Sequence, residues 1–364
     1  MILMLNPQVY LFLFILLFSF LISIILIPVS KNIGLSNNIV AIPTKKSSHS
    51  KKTPVTGGIV IFLSLSLSIF AAYIFFDIKL VLSTVFYVGI ASLIMLGIGL
   101  LDDKFDIKPY YRLIIQSIST VIILMSLGPD VILYFKDALS SIGISSQYYD
   151  FELSYFITIL VIIVFLNMIN MIDGIDGLLA SVFILSCIFF LVFSILSEEI
   201  FIALLTISGL GSLIAFLYHN VLSKNKIFLG DNGSLLIGII LAYLSLYFIS
   251  NNSFNDIYLN NSNLLLLSMF IYPITDFYRI VIVRILKKSN PLIGDKNHIH
   301  HNLIRLGLSH ISSTLIIITY TILVTFITYN LLSHDIYIPL IFLSLCSLII
   351  AFSPMLLINF KKAR

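Results

Sequence analysis

The chain has 364 residues, of which 59% are hydrophobic and only 10% charged, with a formal net charge of +4 and no tryptophan. Ordinary soluble domains carry about 25% charged residues, so this composition excludes a string of soluble domains and points to one polytopic membrane domain spanning 1–364. The two cysteines, Cys187 and Cys346, lie in apolar runs, which excludes a disulfide framework and a cysteine metal site.

The first apolar run, about 9–30, has no Lys or Arg ahead of it and is too long for a cleaved signal, so it is expected to stay as a spanning helix. A span needs roughly 20 mostly apolar residues. On that rule ten more runs follow, at about 57–76, 79–100, 110–127, 153–172, 177–197, 200–222, 234–250, 263–286, 312–333 and 337–359. The predicted fold is an all-α polytopic membrane protein of about eleven transmembrane helices. Alternate connections hold 19 of the 21 basic residues, and the other set has only Lys79 and Lys136. The positive-inside rule then predicts a periplasmic N-terminus and a cytoplasmic C-terminus.

The acidic residues sharpen this picture. Eight of them, Asp102, Asp103, Asp106, Asp173, Asp176, Asp231, Asp276 and Asp295, fall at or near the predicted cytoplasmic ends of helices. An ion-coupled transporter carries its ionisable groups at mid-depth. Carboxylates gathered at one interface instead fit an enzyme joining a lipid headgroup to a cytosolic substrate. No nucleic acid partner is expected.

Five motifs follow in chain order. The first cytoplasmic loop, "AIPTKKSSHSKKTPVTGGI", carries Lys46 and His49, which could hold a lipid phosphate or serve only topology. In "GLLDDKFDIKPYYRL", Asp102 and Asp103 are adjacent and point apart, while Asp103 and Asp106 are spaced to share a helix face. Such crowding favours a bound cation, and Mg²⁺ takes one or two carboxylates with phosphate oxygens. Arg112 then offers a guanidinium to a phosphate.

The stretch "NMINMIDGIDGLL" spaces Asn167, Asn170, Asp173 and Asp176 at threes after a lipid-buried run, with Gly174 and Gly177 opening a turn. "KIFLGDNGSLLIG" places Asp231 at a glycine-flanked helix start, where a metal ligand is the economical reading. "GDKNHIHHNLIRLGLSH" holds His298, His300 and His301 beside Lys296. Anion binding by this cluster is favoured over zinc, because no cysteine supports a zinc site. Neither a Gly-rich phosphate loop with Lys-Ser/Thr nor a nucleophile-elbow serine motif is present.

The stretches "PVTGGI", "LDDKFDI", "NMINMIDGIDGL", "FLGDNGSLLIG" and "DKNHIHH", in this order over about 43–310, resemble one family. It is the polyprenyl-phosphate N-acetylhexosamine-1-phosphate transferases, the WecA, TagO and MraY group. The histidine stretch looks like the UDP-GlcNAc-using branch. The resemblance implies transfer of N-acetylhexosamine-1-phosphate, above all GlcNAc-1-phosphate, from a UDP-N-acetylhexosamine to undecaprenyl phosphate, with release of UMP. Mg²⁺ is the implied cofactor, with Mn²⁺ as a substitute. The product would start a lipid-linked glycan such as O-antigen at a bacterial inner membrane, with the site facing the cytoplasm. A homodimer is compatible with the family. The phospho-MurNAc-pentapeptide transferases are the rival inside the group.

Residue by residue, the resemblance implies that Asp231, with Asp103, binds the metal. It also implies that Asp102 or Asp103 orients or deprotonates the lipid phosphate. Asn170, Asp173 and Asp176 match positions lining the nucleotide and diphosphate site, and His298, His300 and His301 the histidine motif beside the phosphates. Ala41 stands where many members carry an acid, and Lys296 where one branch carries Arg.

Overall fold

The computed structural model describes residues 7–42, 52–76, 78–133, 151–250, 261, 263–288 and 297–363. Lys46, His49 and Lys296 therefore lie outside the described residues. Among those described, helices follow one another as α1 (Pro7–Ser36), α2 (Gly57–Phe76), α3 (Leu82–Phe105), α4 (Pro109–Leu127), α5 (Phe151–Met171), α6 (Leu178–Leu196) and α7 (Ile200–Leu217). Then come α8 (Gly230–Ser250), α9 (Asn263–Met269), α10 (Ile271–Leu286), α11 (Ile299–Arg305), α12 (His310–Leu331) and α13 (Tyr337–Ala363). A π-helical turn, Tyr218–Leu222, prolongs α7 to the end of the span expected at 200–222.

Ten of these helices are long and apolar enough to cross a membrane. The run expected at 263–286 is instead a bent pair, α9 and α10, meeting at 67°. Pro273 supplies the cause: it donates no N–H, and its ring clashes with the carbonyl four residues back, at Met269. The protein is thus an all-α polytopic membrane protein. Its outer faces agree, since Leu17 is 59% exposed, Ile25 63% and Phe326 65%, a surface tolerated only against lipid.

The chain sorts into two compact units, the first Met1–Asn170 with Phe183–Asn251, the second Met171–Val182 with Asn252–Arg364. In the first, α1 packs on α2 and α7, and α3 packs on α4 and α8. Small side chains let these helices approach. Ser23 on α1 donates to Ser212 on α7 at 3.0 Å, and Ser64 on α2 donates to the Ser19 carbonyl at 2.8 Å. A short antiparallel ribbon, β1 (Val40–Ala41) and β2 (Thr53–Pro54), closes the first loop. Phe228 donates to the Pro54 carbonyl at 2.9 Å and Gly57 donates to the Phe228 carbonyl at 3.0 Å, so the ribbon is fastened to the strand of chain leading into α8. In the second unit α12 packs on α9, and α13 packs on α10, α11 and α12.

Candidate active site

The first unit gathers its polar side chains around the start of α8. The carboxylate of Asp103, near the end of α3, accepts from Asp231 N at 2.9 Å, Asn232 N at 3.0 Å and Asn232 Nδ2 at 2.6 Å. The first turn of a helix has backbone donors without intrahelical partners and a positive dipole end, which a carboxylate satisfies. Asn232 also donates to the Val55 carbonyl at 2.5 Å, tying α8 to the "PVTGGI" segment. Glycines make the room: a Cβ at Gly99 would lie 2.3 Å from Asn232 Cα, and one at Gly58 2.3 Å from Asn232 Oδ1.

This capping bears on the expected metal ligand. Three of the four acceptor positions of Asp103 are taken by N–H donors, so its geometry is that of a residue positioning Asp231. Asp231 itself accepts from Asn170 Nδ2 at 2.6 Å through Oδ1, and Asn170 also donates to Ser234 Oγ at 2.7 Å. Asp231 Oδ2 makes no hydrogen bond among the described residues. The charges of Asp102, Arg112 and Asp106 reach Asp231.

Asp102 points away from Asp103, as adjacent helical residues must. It is buried, accepting from Ile107 N at 2.9 Å and pairing with Arg112 Nη1 at 3.0 Å. Asp106 does not share a helical face with Asp103: α3 ends at Phe105, and Asp106 is the left-handed C-cap at φ 51°. Asn167, expected near substrate, donates to Gln116 Oε1 at 2.9 Å and to the Ile163 carbonyl at 2.8 Å, which binds α5 to α4.

In the second unit the turn between α5 and α6 carries Asp173 and Asp176. His310 Nδ1, at the start of α12, lies 3.2 Å from Asp176 N and 3.6 Å from Asp176 Oδ2. Thr314 Oγ1 donates to the Asp176 carbonyl at 3.4 Å. The turn closes on the histidine motif at Gly174, where a Cβ would lie 2.2 Å from His300 Nε2; only glycine fits there.

The three histidines form one cluster. The His298 and His300 rings stack 5.3 Å apart at 12°, and the His301 ring lies 4.3 Å from His300. Asp276 on α10 is fully buried and anchors the motif: Oδ2 accepts from His298 Nδ1 at 2.7 Å, and Oδ1 accepts from Ile299 N at 2.8 Å. Arg279 pairs with Asp276 at 3.3 Å and donates to the Asn297 carbonyl. Tyr272 OH lies 2.8 Å from His300 Nδ1. Burial pushes the His300 imidazole down to about 3, only partly offset by the Asp276 charge, so it is neutral at ordinary pH. His298 and His300 are thus enclosed, and His301 is the half-buried member of the motif.

Among the described residues, no group of three or more His, Cys, Asp or Glu is arranged to hold a metal. Asn232, Ser234, Tyr272 and Arg279 were not singled out from the sequence, and Asp276 was counted there without a role. Asn232 had a signal, since it directly follows Asp231. Tyr272 and Asp276 had a fainter one, their spacing of four on a helix.

Comparison with known proteins agrees with these motifs. The family described as "Glycosyl transferase family 4" matches residues 85–249. A Bacillus subtilis protein named a probable undecaprenyl-phosphate N-acetylglucosaminyl 1-phosphate transferase is 28% identical, over 82% of this chain and 79% of its own. A decaprenyl-phosphate N-acetylglucosaminephosphotransferase of Mycobacterium tuberculosis is 28% identical, over 79% of this chain and 74% of its own. An undecaprenyl-phosphate alpha-N-acetylglucosaminyl 1-phosphate transferase of Haemophilus influenzae is 29% identical, over 82% and 80%. The chain is thus similar to glycosyl transferase family 4 over residues 85–249, and to relatives named as polyprenyl-phosphate N-acetylglucosamine-1-phosphate transferases, the group that its five motifs resemble.

Proposed function

We propose that this protein transfers GlcNAc-1-phosphate from UDP-GlcNAc to a polyprenyl phosphate, undecaprenyl phosphate in a bacterial membrane. A lipid phosphate oxygen bonds to the sugar-bearing phosphorus, the phosphoanhydride to the nucleotide breaks, and UMP leaves with that bridging oxygen. One anhydride replaces another, so no ATP is consumed. The catalytic demand is to neutralise charge and hold the reactants in line.

The observation that carries this reading is the fixed carboxylate of Asp231. It is held at a helix N-terminus by Asn170, with one oxygen left over, beside the Asp102–Arg112 pair. That donor chemistry fits Mg²⁺, which is satisfied by one or two carboxylates plus water and phosphate oxygens. Asp231 would hold the ion, with Asp103 fixing its backbone. The ion would supply charge neutralisation on the diphosphate. Arg112, with its guanidinium half committed to Asp102, is suited to a phosphate of either substrate. His301 and the Asp173–Asp176 turn are assigned to the nucleotide-diphosphate donor. The site is assigned to the cytoplasmic face of the inner membrane, where UDP-sugars are made.

The test is direct. Purified protein is incubated with UDP-GlcNAc, undecaprenyl phosphate and Mg²⁺, and UMP release is measured. Release that needs both substrates is expected. No release with UDP-GlcNAc or any other UDP-amino-sugar would sink the reading.

A further inference from the structure

Tyr272 and Asp276 stand four residues apart on α10 and so share one face. Each meets one imidazole of the histidine motif at Nδ1: Tyr272 meets His300 at 2.8 Å and Asp276 meets His298 at 2.7 Å. Two Nδ1 anchors spaced by one helical turn account for rings lying within 12° of parallel. The anchors differ in chemistry. A carboxylate only accepts, so it requires a proton on His298 Nδ1, whereas a phenol can donate or accept.

The environment decides for Tyr272. Its side chain is fully buried, and among the described residues its hydroxyl has no hydrogen-bond partner other than His300. If the hydroxyl accepted, its own O–H would be buried without an acceptor, at a desolvation cost. Donation to Nδ1 avoids this, and a neutral imidazole then carries its proton on Nε2. His300 is itself fully buried, and among the described residues its Nε2 has no hydrogen-bond partner. That atom abuts Gly174, an exposed residue of the turn bearing Asp173 and Asp176. A buried donor left unpaired beside an exposed turn fits a group completed by ligand.

We propose that Tyr272 is a positioning residue: its hydroxyl fixes His300 as the Nε2–H tautomer, keeping a neutral donor beneath Gly174 for an anionic oxygen of the bound donor diphosphate. The ligand half of this statement rests on the proposed function, whereas the tautomer half does not. Neutrality suits the role, because the donor persists across pH.

The experiment uses the full chain in detergent, with ¹⁵N-histidine labelling. The His300 signals are assigned as those missing from His300→Gln. Protonation at Nε2 is expected, and Tyr272→Phe, which removes only the hydroxyl, is expected to redistribute the proton between the two nitrogens. The same variant is expected to slow turnover about fivefold to tenfold, the effect of one lost hydrogen bond. In His300→Gln, whose side-chain amide keeps a donor near Nε2 but no Nδ1, Tyr272→Phe is expected to cost nothing further. A proton on Nδ1 in the unaltered protein overturns the proposal. So does an equal loss of turnover from Tyr272→Phe in both backgrounds, the mark of a merely structural tyrosine. If the unaltered protein released no UMP, the function would fail while the tautomer measurement still decided the role of Tyr272.

Discussion

Asn170 donates from Nδ2 to Oδ1 of Asp231 over 2.6 Å, joining the polar end of α5 to the first turn of α8. The bond leaves the carboxylate fixed and its other oxygen available. Asp231→Asn keeps an acceptor for Asn170, so the variant should fold and lose only the charge. Turnover should fall at least about 100-fold, as for loss of a principal electrostatic group. The unaltered protein should gain thermal stability on adding Mg²⁺ and lose turnover when the ion is chelated, and Asp231→Asn should lose the thermal gain. Thermal unfolding with and without the ion checks both.

Asp103 should behave differently. Its three N–H bonds cap α8, so Asp103→Ala should lower stability by about 2–4 kcal/mol as well as activity. A variant that melted like the unaltered protein would remove the capping role.

Gly97 and Gly99 on α3 give a matched pair. A Cβ at Gly99 meets Asn232 Cα at 2.3 Å, whereas one at Gly97 has nothing within 4 Å. Gly99→Ala should cost about 1–3 kcal/mol by pushing α8 away. Gly97→Ala should be neutral or stabilise by up to about 1 kcal/mol through helix propensity. Melting temperatures in the same detergent compare them.

His300 sets a pH dependence. Its folded value is about 3, against an unfolded value of about 6.5. Above pH 6.5 the residue is neutral in both states and contributes no slope. Between 6.5 and 3 the unfolded chain takes up a proton that the folded one refuses. Stability should therefore fall as pH drops through that window, by at most about 1.4 kcal/mol per unit. His300→Gln should flatten this part of the profile, measured by thermal unfolding at pH 7 and pH 5.

Much of this was legible in the sequence. Apolar runs of span length gave the helices, because a backbone in lipid must satisfy its hydrogen bonds internally. The break at Phe270 was missed because length and hydropathy do not register a proline inside an apolar run. Asp102 and Asp103 were read as diverging, and they do, one toward Arg112 and the other toward Asn232. The reading of Asp103 and Asp106 as sharing a face assumed that α3 continues past Phe105, where the chain turns left-handed instead.

The sequence by itself determined the class of protein, its spans and the motifs it shares with the transferases it resembles. These depend on composition and local spacing, which act within a few residues. Tertiary structure alone decided what each polar group is for. Asp103 caps a helix that begins 127 residues later. Asn167 is taken by Gln116, and His300 is enclosed between Tyr272 and Gly174. A carboxylate or imidazole has the same letter whether it faces a ligand or a buried N–H. Its role is set by the partners that packing brings within hydrogen-bond distance, and those partners are remote along the chain.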